Sequence, residues 1–499
     1  MSSLVARNAS DASSPTSLPC AMDPQSTSAL VHLPLEILLR ITHHISTVDL
    51  GNVRLTCRAL ERATFSFFSH EFFRKKQFMV STFSLQALLD ISKHPTLSPC
   101  LKHLILSTDR PEAIGMWGLN GQPMTEEESA QLELALADQM QLMTTGRLRD
   151  LLTEVFTNLK HLETVDIRDF DSPSRRRDRT QWRSYGARTL EAAARTTVRS
   201  RAWIINDPYP SQVFTATTAA LAAAQARPRS IEVLERNRGG NGPFALQDAA
   251  FFIPGHIDSS MASLLGSLQS LHLSVSFHTR REPFMIQKFL ALATNVTWLR
   301  LNFHCPQITH PECVISWLGQ DPDCSQARPF ETPSPKLPML ERLDLGDATL
   351  SYKSVLRCLA KFAPTLKSVY LRRICFQDDD NINRDEPINP WDSFLKAIPR
   401  TSNLDLKVLD ISYPRTSTYQ WWIDITFDKP GGRNPATQWR CTTSTLTMEK
   451  AIEQVRGAIR IKWPTSEQSV PTEESDTEES EETEEEEGNE NDGSEQAAE

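Results

Sequence analysis

The chain of 499 residues is 39% apolar and 23% charged, the balance of a folded soluble protein with room for about two to four domains or one extended repeat array. Its formal net charge of −10 is uneven: Glu473 to Glu499 hold fifteen acidic residues and no Lys or Arg, which leaves the remainder at +5. No run approaches the roughly 18 apolar residues of a membrane span, and the nearest candidate, Ala216 to Ala226, is short and interrupted by Thr217, Thr218 and Gln225.

Nine cysteines, at 20, 57, 100, 305, 313, 324, 358, 375 and 441, are odd in number and scattered, which predicts a reducing compartment. Residues 1–28 are rich in Ser, Ala and Thr. They show neither a signal-peptide pattern nor hydrophobic periodicity, so the expectation is a disordered segment in a cytoplasmic or nuclear protein.

From Leu33 to Phe78 the pattern predicts three short helices. Leu35, Leu38, Leu39, Ile41 and Ile45 recur at helical intervals behind Pro34, whose fixed φ suits a helix start. Thr47 or Asp49 is the expected cap of a second helix through Leu50 and Val53, ended by Cys57, and a third runs through Leu60, Ala63, Phe67 and Phe68. Leu33, Pro34, Glu36, Ile37, Ile41, Asp49, Leu50, Cys57 and Arg58 together resemble the F-box family, over roughly a tenth of the chain; Leu60 stands where that family often has Trp. The resemblance implies a docking bundle for a Skp-type adaptor and, through it, a cullin ubiquitin ligase, with Leu33, Pro34, Glu36, Ile37, Ile41, Asp49, Leu50 and Cys57 as adaptor-binding residues. The plainer alternative is a helical cap on a larger domain.

Phe83 to Ile91 reads as a helix, and after it a Leu-x-x-Leu-x-Leu string recurs. It begins at Leu101, Leu159 (loosely), Leu268, Val296, Leu340, Leu366 and Leu406. The last apolar pair alternates with a polar residue in the strings after the first, where Ile105 takes that place, as a half-buried strand requires. Helix-like runs lie between them at Phe284 to Ala293, Tyr352 to Phe362 and Trp391 to Ile398. The strings start 28, 44, 26 and 40 residues apart from Leu268 onward, so an irregular leucine-rich-repeat-like solenoid is predicted, with an α/β domain of Leu-rich strands as the alternative. Residues 110–260 carry little of this signal: Glu126 to Phe156 predicts one or two long helices, Gln212 to Ala226 an Ala-rich helix, and Ile231 to Leu234 a strand, in an insertion or degenerate repeats. Toward the end, Trp421 to Thr426 predicts a strand turning at Gly431-Gly432 and pairing with Gln438 to Thr442. An amphipathic helix, Met448 to Arg460, then caps the array.

Chemical signatures are sparse. His304, Cys305, His310, Cys313 and Cys324 offer zinc-type donors without paired spacing, and a core or loop role fits them better, so no metal and no cofactor is predicted. Nucleotide-binding and hydrolase motifs are missing from the sequence, and Gly239-Gly240-Asn241-Gly242 reads as a plain loop. The basic run Arg175-Arg176-Arg177-Asp178-Arg179, followed by Trp182 and Arg183, suits a solvated loop, an import signal or an acidic partner, but is too narrow to predict nucleic-acid binding. Ser475 and Ser480 sit among glutamates in a tail expected to stay extended.

The fold class expected is therefore α/β: a disordered segment at 1–28, an F-box-like helical domain at 29–78, an irregular repeat region at 79–464 and a disordered acidic tail at 465–499. The function expected is a non-catalytic adaptor that recruits a protein substrate, with a repeat scaffold outside ubiquitination as the other reading. Polar positions beside the apolar pairs are the expected substrate contacts: His272, Ser274, Arg300, Asn302, Asp344, Arg372 and Asp410.

Overall fold

The computed structural model describes residues 29–111, 123–171, 182–195, 198–199, 208–236, 245–277, 283–304, 309–321, 332–377, 389–417, 422–428, 434–443 and 446–461. The segments at 1–28 and 465–499, the Gly431-Gly432 turn, the loop at 239–242 and Arg175 to Arg179 lie outside these residues.

Three helices open the chain: α1 (Leu35–His44), α2 (Thr47–Thr56) and α3 (Arg58–Phe73). Pro34 stands immediately before α1, and its carbonyl accepts from the Ile37 and Leu38 amides. The cap of α2 is Ser46 rather than Thr47 or Asp49: its hydroxyl oxygen accepts from the Asp49 amide at 3.1 Å and its O–H donates to the Asp49 carboxylate at 2.7 Å. The Arg54 guanidinium lies 3.5 Å over the Phe68 ring, fixing α2 against α3. Leu38, Leu50, Leu60 and Phe72 are buried here, and none joins the continuous apolar core of the later residues.

That later core lies under a 13-stranded sheet. Nine of its strands run parallel in chain order: β1 (Lys75–Met79), β2 (His103–Ser107), β3 (Thr164–Arg168), β4 (Ser230–Leu234), β5 (Ser270–Val275), β6 (Trp298–Phe303), β7 (Arg342–Ser351), β8 (Ser368–Gln377) and β9 (Val408–Ser412). The strings expected as strands from Leu101 onward are all strands. The strand β1 was not foreseen, because Lys-Lys-Gln-Phe-Met lacks the leucine spacing. With β3 and β4 in the ladder, the middle of the chain supplies rungs and is not an insertion beside it.

One backbone device joins successive rungs. The carbonyl just before each strand accepts the two amides that open the next: Arg74 takes Lys102 and His103, Lys102 takes Glu163 and Thr164, and the pattern continues from Glu163, Arg229, Gln269, Thr297, Glu341 and Lys367 to Lys407 and Val408. A carbonyl has two acceptor sites, so this sharing satisfies both amides at every joint.

Helices follow the strands: α4 (Thr82–Lys93), α5 (Glu126–Thr144), α6 (Arg147–Asn158), α7 (Ala187–Ala194), α8 (Tyr209–Ala223), α9 (Asp258–Leu265), α10 (Met285–Leu292), α11 (Thr309–Leu318), α12 (Tyr352–Phe362), α13 (Pro390–Ala397) and α14 (Met448–Ala458); all but α7, which packs on Met79, contribute to a layer over one face. The apolar pairs of the strings, such as Leu271 with Leu273 and Leu299 with Leu301, point into this layer and are buried. At the first edge, Tyr185 exchanges backbone hydrogen bonds with Gln77 and Met79 and so covers β1.

The far end departs from expectation. β10 (Arg415–Ser417) continues beside β8, and β11 (Trp422–Phe427) pairs antiparallel with β10 and with β13 (Ile459–Ile461). β12 (Gln438–Thr442) pairs antiparallel with β9, not with β11 as the strand pattern predicts. Helix α14 then buries Ala451, Ile452, Val455 and Ala458 against the same core, closing the last apolar layer.

Candidate protein-docking surfaces

The helical unit leaves much of its apolar surface in solvent. Ile37 and Ile41 lie one turn apart on α1 and are 42% and 39% exposed, while Leu38 and Thr42 on the adjoining flank take the buried positions. Leu35, Val48 and Leu55 are exposed as well, Leu55 at 86%. Apolar side chains exposed in this number on a small bundle make it a candidate protein-docking surface.

The second surface is the face of the sheet turned away from the helices. Strand alternation and register line up one row across it: Gln77, Ile105, Asp166, Glu232, His272, Arg300, Asp344, Tyr370, Asp410 and, from β12, Arg440. In the neighbouring row the Arg342 guanidinium is held between Trp298 (3.9 Å) and Tyr370 (4.0 Å) and clasps Asp344 with bonds of 2.8 and 2.9 Å. Arg300, Arg342, Arg372, Asp344, Asp410 and Tyr370 line a cavity of about 220 Å³, which Asn302, Ser412 and Gln438 also border.

Residues 30–74 match a family model described as F-box-like. These helices are an F-box-like domain. No curated protein matches the chain. F-box-like domains generally bind Skp-type adaptors and are typical of non-catalytic adaptor subunits.

Within the F-box-like domain, the proposed adaptor contacts are not equally accessible. Pro34, Glu36, Ile37, Ile41 and Asp49 are exposed, and Leu33 and Cys57 are half-buried. Leu50 is fully buried, so its role is to hold the bundle together rather than to touch a partner. Leu35, Val48 and Leu55 were absent from the expected contacts.

On the sheet face, Arg300 and Asn302 are half-buried and Arg372 is exposed, so all three can meet a ligand. His272, Ser274, Asp344 and Asp410 are buried and serve as a supporting layer. Trp298, Arg342, Tyr370 and Gln438 were missed. The first three share the strand parity of the residues chosen and were legible by it.

His272 sits between a Ser270 hydroxyl at 3.0 Å and the Trp298 ring at 4.2 Å. Burial, with the charges of Arg300 and Arg342 adding to it, pushes its pKa from 6.5 down to about 3. The unfolded chain therefore binds a proton that the folded one refuses, and stability should fall as pH drops from about 6.5 toward 3, by up to about 1.4 kcal/mol per pH unit. His272→Gln should flatten this dependence in denaturation midpoints taken between pH 7 and pH 5; an unchanged slope would show that His272 is not the titrating group.

Among the described residues, His103, Asp166 and Glu232 are the one group with donor atoms close enough for a metal, within 4.8 Å. Asp166 already accepts from His103 at 3.1 Å and from Arg168. Burial raises its carboxyl, but the His103 hydrogen bond and Arg168 outweigh this and hold it below the usual range. Lys75, whose charge couples to Arg168, Asp166 and Glu232, adds a further positive charge. The arrangement is an ion-pair network, not a cation site. Of the zinc-type residues, Cys305 and Cys324 lie outside the described residues, and His310 faces the Phe277 carbonyl at 3.3 Å.

Proposed function

We propose that the chain is an F-box-like adaptor: its helices dock on a Skp-type subunit of a cullin ubiquitin ligase, and its α/β region holds a protein substrate. The observation that carries this reading is the exposed apolar set Leu35, Ile37, Ile41, Val48 and Leu55 on a domain matched as F-box-like. The region after the helices is read as an irregular leucine-rich-repeat-like array, because each rung reuses the same shared-carbonyl joint and the same apolar pair while the helices between vary in length. In this reading the protein performs no chemistry. It raises the effective concentration of a target beside a charged ubiquitin-conjugating enzyme.

The test is reconstitution of the full chain with a purified Skp-type adaptor and cullin. A stable stoichiometric complex on size exclusion is expected. Failure of the intact, folded chain to bind the adaptor would refute the ligase reading.

A further inference from the structure

The cavity on the sheet face has an uneven account of donors and acceptors. Asp344 is clasped by Arg342, and Asp410 accepts from the Ser412 hydroxyl at 2.8 Å and from the Gln438 amide at 3.2 and 3.3 Å. The acceptors of the lining are thus engaged. One buried donor of the lining is not: Arg300 Nε has no hydrogen-bond partner among the described residues, and neither has Trp298 Nε1, on the same strand face but outside the lining. Burial holds the Arg300 guanidinium below its ordinary value, Asp344 partly offsets this, and Arg342 and Arg372 add to it. The side chain of the exposed Arg372 beside it makes no hydrogen bond or ion pair among the described residues, and its guanidinium lies 5.9 Å from the Tyr413 ring.

Unmatched buried donors cost free energy that an acceptor from outside would recover. The charge count indicates which acceptor. Three guanidinium groups and two carboxylates line the cavity, and the two charges just outside it, Arg440 at 4.0 Å from Asp410 and Glu232 acting on Arg300, offset each other, leaving one positive charge unanswered. One further carboxylate balances it, whereas a phosphate dianion would place excess negative charge beside Asp344 and Asp410.

We propose that this cavity binds the carboxylate of an Asp or Glu side chain on an extended segment of a partner protein, with Arg300 and Arg372 as its donors. Arg342, fixed between Trp298 and Tyr370, forms the rigid wall. The proposal rests on the reading that this face recruits a substrate, and names the chemistry it selects.

The test selects binders to the full chain from a library of random displayed peptides. The selected peptides are then synthesised with the acid intact, with Asp→Asn or Glu→Gln, and with phosphoserine at that position. The expected result is an acid shared among the selected peptides. Its amide replacement should weaken binding to the wild-type chain about tenfold or more, with little effect on Arg300→Met. Arg372→Met, at an exposed position, reads the same dependence if Arg300→Met fails to fold, and Arg147→Met, on the exposed surface of α6, should leave it unchanged and so exclude a general charge effect. No shared acid, or an acid preference that survives both Arg300→Met and Arg372→Met, overturns the cavity assignment while leaving recruitment to another part of the region. Tighter binding of the phosphoserine peptides through Arg300 overturns the carboxylate assignment. An Arg300-dependent acid preference in a chain that binds no adaptor supports the cavity and refutes the ligase reading alone.

Discussion

Replacing Ile37 and Ile41 together by Asp is expected to abolish binding to a Skp-type adaptor while leaving the helices folded. Both side chains are about two-fifths exposed, so neither supports the core of the bundle. The inward positions of α1 belong to Leu38 and Thr42, and the Thr42 hydroxyl is satisfied by the Leu39 carbonyl at 2.9 Å. At a docked apolar surface, truncating a central Ile costs on the order of 2 kcal/mol, and a carboxylate left without a partner there costs more. The double variant should therefore lose affinity by several hundredfold or more. Calorimetry against the purified adaptor measures the loss, and circular dichroism checks the helices. Retained affinity in a folded double variant would place the adaptor elsewhere. Leu50→Ala makes the contrast, because Leu50 is fully buried and its loss should weaken the helical signal itself.

The largest stability effect is expected at Trp391. Its ring is 1% exposed, with centroids 4.3 Å from Phe376 and 6.0 Å from Phe394, and its indole N–H donates to the Arg415 carbonyl at 2.7 Å. One side chain thus ties α13 to β8 through packing and to β10 through a hydrogen bond. Trp391→Ala leaves a large cavity and a carbonyl without its donor, and should cost about 3–5 kcal/mol in chemical denaturation. Trp391→Phe should recover part of the packing and none of the hydrogen bond. A loss below about 1 kcal/mol for Trp391→Ala would contradict this account of the core.

Much of this architecture is legible in the residues. The helical spacing behind Pro34 and the apolar pairs from Leu101 onward placed helices and strands correctly, because burial on one face imposes a period that side chains must follow. The joints are another matter. Arg74, Lys102, Glu163, Arg229, Gln269, Thr297, Glu341 and Lys367 share polarity but neither charge nor shape, and a device made of backbone carbonyls requires no particular side chain. The first rung was hidden for a related reason: at the edge, Lys75 and Lys76 replace the apolar residues that identify later strands. Polarity was also a poor guide to contact. His272 and Asp344 are polar yet buried, while Val48 and Leu55 are apolar yet exposed, because burial is set by neighbouring strands and helices and not by the residue alone. Gln438 reaches the cavity from β12, whose pairing with β9 no local pattern announces.

A single residue, Arg74, separates the last F-box-like helix from the first strand of the sheet. Its carbonyl is the first of the shared joints, and its guanidinium meets the His70 ring at 2.8 Å, so the residue is anchored on both sides. The connection is therefore one tethered residue and not a loop, so that in the proposed reading the helical unit and the ladder act as one arm. In the proposed complex such an arm fixes how far and at what angle a captured protein stands from the conjugating enzyme. The choice of which target lysines are reached then becomes a matter of leverage, set by the length of the ladder and by where along it the target is gripped.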